Sequence, residues 1–304
     1  MMRRFGTIAI TLLRMVLQVI GIVLVVFLLC RVAPGDAVDR MALEGGLTAA
    51  QEAELRQEMG LDQPLLIDLA RWSAKAVTGD FGDSLRYGRP VADMLRTALP
   101  TTLTLAAGSF VLGLLIAMGL AVSAAVTGNR LLTGLVNLVN VWSIALPTFC
   151  VGVVGILIFS IWLGWLPVVG ALTLPIVIIA IDNAGQIGKP LFEDLRDATT
   201  SAHVRTAYAK GLGRPRIALV HMLPTALPVA LALSGLVLAG LVAGTLTMEI
   251  LFSLPGIGSL MLNAIHGRDY PVVQAAITVV AAALVVINAV IDIIHRAVDP
   301  RLSQ

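Results

Sequence analysis

From Leu99 to Val126 no charged side chain occurs, and five further stretches are nearly as apolar: 8–29, 140–162, 172–187, 225–251 and 271–294. A helix that crosses a bilayer needs about 20 predominantly apolar residues, and it satisfies its own backbone polar groups there. The chain is therefore read as an all-α integral membrane protein with six transmembrane helices. Composition agrees, with 58% hydrophobic and only 13% charged residues. A soluble domain carries about 25% charged residues, so this chain cannot cover a globule with solvated side chains. A net charge of +2, with no run of lysine or arginine, gives no footprint for nucleic acid.

The first stretch lies behind Arg3 and Arg4 and is longer than the apolar core of a cleaved signal peptide. Arg31-Val32-Ala33-Pro34 is a poor cleavage site, and Leu28 and Leu29 are too bulky for lipoprotein processing at Cys30. It is expected to stay as a helix, with Arg14 snorkelling toward the N-terminal side. Residues 1–31 form the first span and 32–97 a small polar subdomain, in which eleven acids face seven bases. Residues 98–304 hold five further spans and a long loop at 189–224. Inside the subdomain, Thr48-Ala49-Ala50-Gln51 is a helix start, and Leu55, Met59 and Leu61 suggest a short amphipathic helix.

Orientation follows the lysine and arginine bias of short loops. One side receives Arg3, Arg4, Arg130, Lys189, Arg196, Arg205, Lys210, Arg214, Arg216, Arg296 and Arg301. The other receives the acidic subdomain, a short link at 164–171, and 252–270 with Arg268 alone. The basic side is expected to be cytoplasmic, with both termini on it and the subdomain outside. Gly240 and Gly244, with Gly235, Ala239 and Ala243, give the fifth span a small-residue face for close packing within the chain or against another subunit.

Several chemistries lack their residues. No histidine is followed by glutamate as a zinc-protease helix requires. His203, His221, His266 and His295 fall in loops or at span ends, so Ser109 and Ser234 have no base at membrane depth. Cys30 and Cys150 offer neither a disulfide framework nor a metal cluster. Gly185-Gln186-Ile187-Gly188-Lys189-Pro190 lacks the first glycine and the final Ser or Thr of a phosphate-binding loop, so the chain is not expected to hydrolyse ATP. Asp182, Asn183, Met248 and Glu249 are the candidates for a translocation path, the acids standing near span ends where an interfacial position is equally open. What remains is a pore-forming subunit that depends on partners, with a self-contained channel, a secondary carrier or a non-transport scaffold as rivals.

Residues 189–224 carry the most information. They read as helix–turn–helix: 190–195, a cap at Thr200-Ser201-Ala202, a helix over 204–210, Gly211, and a second helix over 215–222. Thr206, Ala207 and Gly211 are small enough to let a short helix seat closely on another protein, framed by Arg205, Lys210, Arg214 and Arg216. Arg205-Thr206-Ala207, three residues, Gly211, nine residues, then His221-Met222-Leu223-Pro224 resembles the EAA loop of ABC importer permeases. Arg205, Thr206 and His221 depart from the general pattern, in the manner of the dipeptide/oligopeptide/nickel branch. Further runs resemble the first permease of that branch: Gly60-Leu61-Asp62-Gln63-Pro64, Asp80-Phe81-Gly82-Asp83-Ser84 with Arg89-Pro90-Val91, Leu99-Pro100-Thr101-Thr102-Leu103, and Gly164-Trp165-Leu166-Pro167. So do Glu249 with 252–258, Arg268-Asp269-Tyr270-Pro271, and Asp299-Pro300-Arg301.

The resemblance implies a bacterial inner-membrane importer built from two permeases, two cytoplasmic ATPases and an extracytoplasmic solute-binding protein. ATP and Mg would be bound by the ATPases, leaving this chain without catalytic residues, cofactor or metal. It also implies that the loop between the fourth and fifth spans forms a coupling helix seated in an ATPase groove. Arg205, Thr206, Ala207 and Gly211 would belong to the seat, and Leu223 and Pro224 would begin the next span. The cargo would be a short peptide or a nickel or metal-chelate complex, with the choice left open.

Overall fold

The computed structural model describes residues 2–32, 38–39, 42, 45, 48–58 and 64–298. Among them the regular elements are helical, with one isolated bridge between Asp83 and Pro90. The chain divides into two compact units: residues 1–102 with 255–286, and residues 103–254 with 287–304.

The first unit holds α1 (Met2–Val32), α2 (Ala49–Glu58), α3 (Leu65–Val77), the start of α4 (Val91–Thr127), α11 (Ile257–Gly267) and much of α12 (Tyr270–Val298). A capping box starts α2: the Thr48 amide donates to Gln51 Oε1 at 2.9 Å, and the Gln51 amide donates to Thr48 Oγ1 at 3.4 Å. Of the expected amphipathic stripe the described residues include Leu55, which is half-buried. Met59 and Leu61 lie outside the described residues, as do 60–63 of the Gly-Leu-Asp-Gln-Pro run and Asp299-Pro300-Arg301. Two helices stand where the sequence reading assigned none. One is α3, whose Trp72 ring tilts onto Phe81 at 6.5 Å between centroids. The other is α11, whose 11 residues are too few to cross a bilayer. Val91, Leu95, Ala98, Ile257, Ala264 and Val272 form the buried centre of this unit.

The second unit holds the rest of α4, then α5 (Arg130–Ala145), α6 (Thr148–Gly155) continued by a π-helical stretch (Ile156–Trp162), α7 (Thr173–Ala198), α8 (Ala202–Ala209), α9 (Arg214–Ile217), a second π-helical stretch (Ala218–Met222) and α10 (Leu223–Leu251). The expected span at 140–162 is two helices bent by 104°, and the first of them begins ten residues earlier, at Arg130. Proline explains the break. Pro147 has no amide hydrogen and pushes Leu146 into extended backbone, φ −115° and ψ 120°. Pro190, by contrast, does not end α7, which runs on to Ala198 as one helix instead of the expected span plus separate turn. Its apolar stripe continues past the proline, and Leu191, Phe192 and Leu195 bury against Ala121, Val204 and Ile217. The fifth span likewise does not start at Thr225: helical backbone runs without interruption from Arg214 to Leu251.

Helix α7 is held at glycine distance by its neighbours. A Cβ on Gly185 would collide with the Val139 carbonyl and Ser143, and one on Gly113 would fall 2.8 Å from the Ala180 carbonyl. Asn140 Nδ2 adds a hydrogen bond to the Gly185 carbonyl at 3.0 Å. On α10, Gly235 approaches Ile291, whereas a Cβ on Gly240 or Gly244 would meet nothing within 4 Å.

Among the described residues, four helical stretches are long and apolar enough to cross a membrane: 13–32, 91–127, 214–241 and 270–291. The bent pair of α5 with α6 would make a fifth. The expected fourth span, now α7, is not among them, because Asp182, Asn183, Gln186 and Lys189 punctuate it. Among the described residues, length and composition alone thus identify four or five spans.

Candidate functional site

Three consecutive hydroxyls end α7. Thr199 Oγ1 donates to the Arg196 carbonyl at 2.6 Å, Thr200 Oγ1 to Asp197 at 2.9 Å, and Ser201 Oγ to Ala198 at 2.6 Å. Ser201 does occupy the position before α8, but its hydroxyl closes the preceding helix and does not cap the next one. Partial burial, reinforced by the Asp197 and Glu193 carboxylates, raises the Asp194 carboxyl above its ordinary value just before this turn.

Helix α8 ends in two reverse hydrogen bonds, Gly211 amide to Tyr208 carbonyl at 2.9 Å and Leu212 amide to Ala207 carbonyl at 3.3 Å. That pair is a Schellman closure, and it needs left-handed backbone at Gly211, which has φ 74°. The two faces of α8 differ. Val204 and Ala207 are buried in one cluster with Leu191, Leu195 and Ile217, while Arg205, Thr206, Tyr208 and Lys210 are exposed. Ala207 is therefore small for a different reason from the one read in the sequence. At 4% exposure it packs into its own chain and presents no surface to a partner. Thr206 is exposed, with its hydroxyl donating to the Ala202 carbonyl at 2.9 Å. Arg205 Nε donates to the Thr200 carbonyl at 3.1 Å. Leu223 is half-buried and Pro224 exposed, both inside the continuous helix from Arg214.

The four path candidates separate by exposure. Met248 and Glu249 are fully buried and Asn183 is 3% exposed, its Nδ2 donating to the Ser109 carbonyl at 3.4 Å. Glu249 does not snorkel outward, since none of its surface is exposed. Asp182 alone is half-buried, one turn from exposed Gln186.

A third site had no forecast beyond the family-like runs that contain it. Asp269 is 1% exposed and stands just before α12. Its carboxylate accepts from Ser84 Oγ at 2.5 Å, from the Leu85 amide at 3.1 Å and from the Arg86 amide at 3.4 Å. Ser84 Oγ in turn accepts from the Tyr87 amide at 3.0 Å. Asp before Tyr-Pro reads locally as a helix cap. Nothing in a separation of 185 residues says that Ser84 supplies the partner.

The family described as "Binding-protein-dependent transport system inner membrane component" matches residues 110–304, which include α7, α8 and the Gly211 closure. This chain belongs to that family. Its relatives include the glutathione transport system permease protein GsiC of Escherichia coli strain K12 and of Shigella dysenteriae serotype 1. Each is 34% identical over 283 residues, covering 91% of this chain and 92% of the relative. GsiC of Escherichia coli O6:H1 is 33% identical over the same shares. The chain is a pore-forming permease subunit of an ABC importer, a multi-pass protein of the inner membrane. In this permease the loop that resembles the EAA pattern is α8 with its Gly211 closure, carried on a buried Val204–Ala207 edge.

Proposed function

We propose that this permease pairs with a second permease, receives cargo from an extracytoplasmic binding protein, and is driven by two cytoplasmic ATPase subunits through α8. The observation that carries the coupling role is the rigid seating of α8. One edge is anchored in the core, the far end is closed by Gly211, and the face carrying Arg205, Thr206, Tyr208 and Lys210 is free to meet a partner. A helix fixed in this way can pass a displacement to α7 and α9, because packed interiors transmit strain. Leu223 and Pro224 lie on the helix that α9 begins, so movement at α8 has a direct route into α10. In this reading the chain crosses the membrane six times, with α7 as the fourth span shielded by its neighbours, both termini cytoplasmic and the polar subdomain outside. It performs no covalent chemistry, and ATP and Mg belong to the ATPases.

The cargo is a short peptide. The glutathione transport named for the relatives favours that side of the peptide-or-metal-chelate alternative. The test uses exposed positions, since Ala207→Asp would also disturb the core. Thr206→Asp and Tyr208→Asp should leave the permease inserted at normal abundance, lower co-purified ATPase by roughly tenfold, the effect of about 1.4 kcal/mol, and reduce uptake. Normal ATPase recovery with normal uptake in both variants would sink the coupling role.

A further inference from the structure

Asp182 Oδ2 accepts from Thr148 Oγ1 at 3.3 Å and from Gln186 Nε2 at 3.2 Å. Both bonds converge on one oxygen, and Oδ1 receives no hydrogen bond among the described residues. No basic side chain pairs with this carboxylate among them either. Lys189, two turns along α7, is committed to Glu193 at 2.9 Å. Thr148, which supplies one of these donors, opens α6 directly after Pro147.

A half-exposed carboxylate in a membrane-spanning helix does not face lipid. Such groups turn to a bundle interior or a water-filled cavity, where they meet a partner of opposite charge. From Asp182 onward the outward positions of α7 fall at helical spacing, with Asp182 half-buried and Gln186 and Glu193 exposed. The same helix buries Asn183, Ala184 and Ile187 on its other side. Its outer stripe is thus polar from Asp182 onward, and one carboxylate oxygen on it is left to bind something cationic.

We propose that Asp182 Oδ1 is a cation-binding point on the translocation path that receives the ammonium group of the passing cargo. This rests on the peptide-importer reading, since a short peptide carries a primary ammonium. Thr148 and Gln186 hold the carboxylate in place, and its second oxygen is kept for the cargo. A single carboxylate in a wet path binds weakly enough to release what it receives, as a conduit requires.

The experiment uses the complete importer reconstituted in vesicles, with Cys30→Ser and Cys150→Ser, and Gln186→Cys as the reporter. Thiol reagents of similar size and opposite charge, a trimethylammonium-ethyl and a sulfonato-ethyl methanethiosulfonate, are compared at low salt. The cationic reagent should react faster by on the order of tenfold after correction for free-thiol rates, because the carboxylate concentrates cations beside the reporter. Asp182→Asn, which keeps an acceptor for Thr148, should bring the ratio close to one. Asp182→Glu should preserve it. A ratio left unmoved by Asp182→Asn would show that the carboxylate concentrates no cation at this point, and that result overturns the proposal. So does failure of both reagents to react at Gln186→Cys. ATP-driven glutathione uptake is measured in the same vesicles. Uptake without charge-selective labelling removes the Asp182 site and leaves the importer reading intact. Labelling as expected without uptake removes the glutathione reading and keeps the cation site.

Discussion

Two helix ends in this permease close with the same pair of hydrogen bonds and pay for left-handed backbone in opposite ways. At the end of α8 the turn residue is Gly211, φ 74°, where a Cβ would touch nothing. At the end of α11 it is Arg268, φ 54°, with the Arg268 amide bonded to the Ile265 carbonyl at 3.1 Å and the Asp269 amide to Ala264 at 2.8 Å. A side chain in that region costs roughly 1–2 kcal/mol, and glycine avoids it. The α8 end is thus made by local backbone chemistry. The α11 end is strained and persists because the next residue, Asp269, is locked by Ser84, Leu85 and Arg86. The α8 end is self-sufficient, whereas the α11 end borrows its stability from distant sequence.

The largest effect tests the placement behind this comparison. If the α8 end is cytoplasmic and the α11 unit faces outward, a cysteine at Ser201 should resist an impermeant thiol reagent in intact cells and one at Ser73 should react. The reverse labelling would invert the topology.

Next comes the lock. Asp269→Ala leaves a hydroxyl and two amides without their buried acceptor, and hydrogen bonds to a charged group contribute about 1.5–3 kcal/mol. The thermal unfolding midpoint in detergent should fall clearly, with Asp269→Asn falling less because one acceptor oxygen remains. Equal midpoints for wild type and Asp269→Ala would show that Arg268 needs no lock.

A smaller effect is expected from Gly211→Ala, about 1 kcal/mol of local strain. Since a Cβ there meets no neighbour, the unfolding midpoint should hardly move while protease cleavage near Leu212 speeds up and ATPase recovery drops. A large global loss would mean the α8 end is not self-sufficient. The smallest effect belongs to Arg268→Gly, which should relieve strain and raise the midpoint slightly, by up to about 1 kcal/mol. A lowered midpoint would show that the arginine side chain itself helps to hold the turn.

Local chemistry made some features legible in advance. Thr48-Ala49-Ala50-Gln51 announced a helix start, and Gly211 marked the turn between two short helices. Other features were not legible because their causes are remote or competing. Pro190 looks like a terminator, yet burial of Leu191, Phe192 and Leu195 carries α7 past it. Ala207 is small for packing inside its own chain, and α11 was hidden because an 11-residue apolar stretch between two spans has no length signal of its own.

The sequence by itself determined that this is a helical membrane protein and which loop resembles a coupling segment. Both conclusions rest on short-range properties: runs of apolar side chains that a bilayer selects, and a motif spaced along one loop. Only the tertiary structure decided that α7 is the polar helix enclosed by glycine contacts, and that Asp182 alone of the four path candidates is half-exposed with an oxygen to spare. It also decided that Asp269 closes on Ser84. Those outcomes depend on which side of a helix meets a neighbour and on pairings across as many as 185 residues. Hydrophobic runs carry no record of either, because a bilayer rewards an apolar side chain wherever it points.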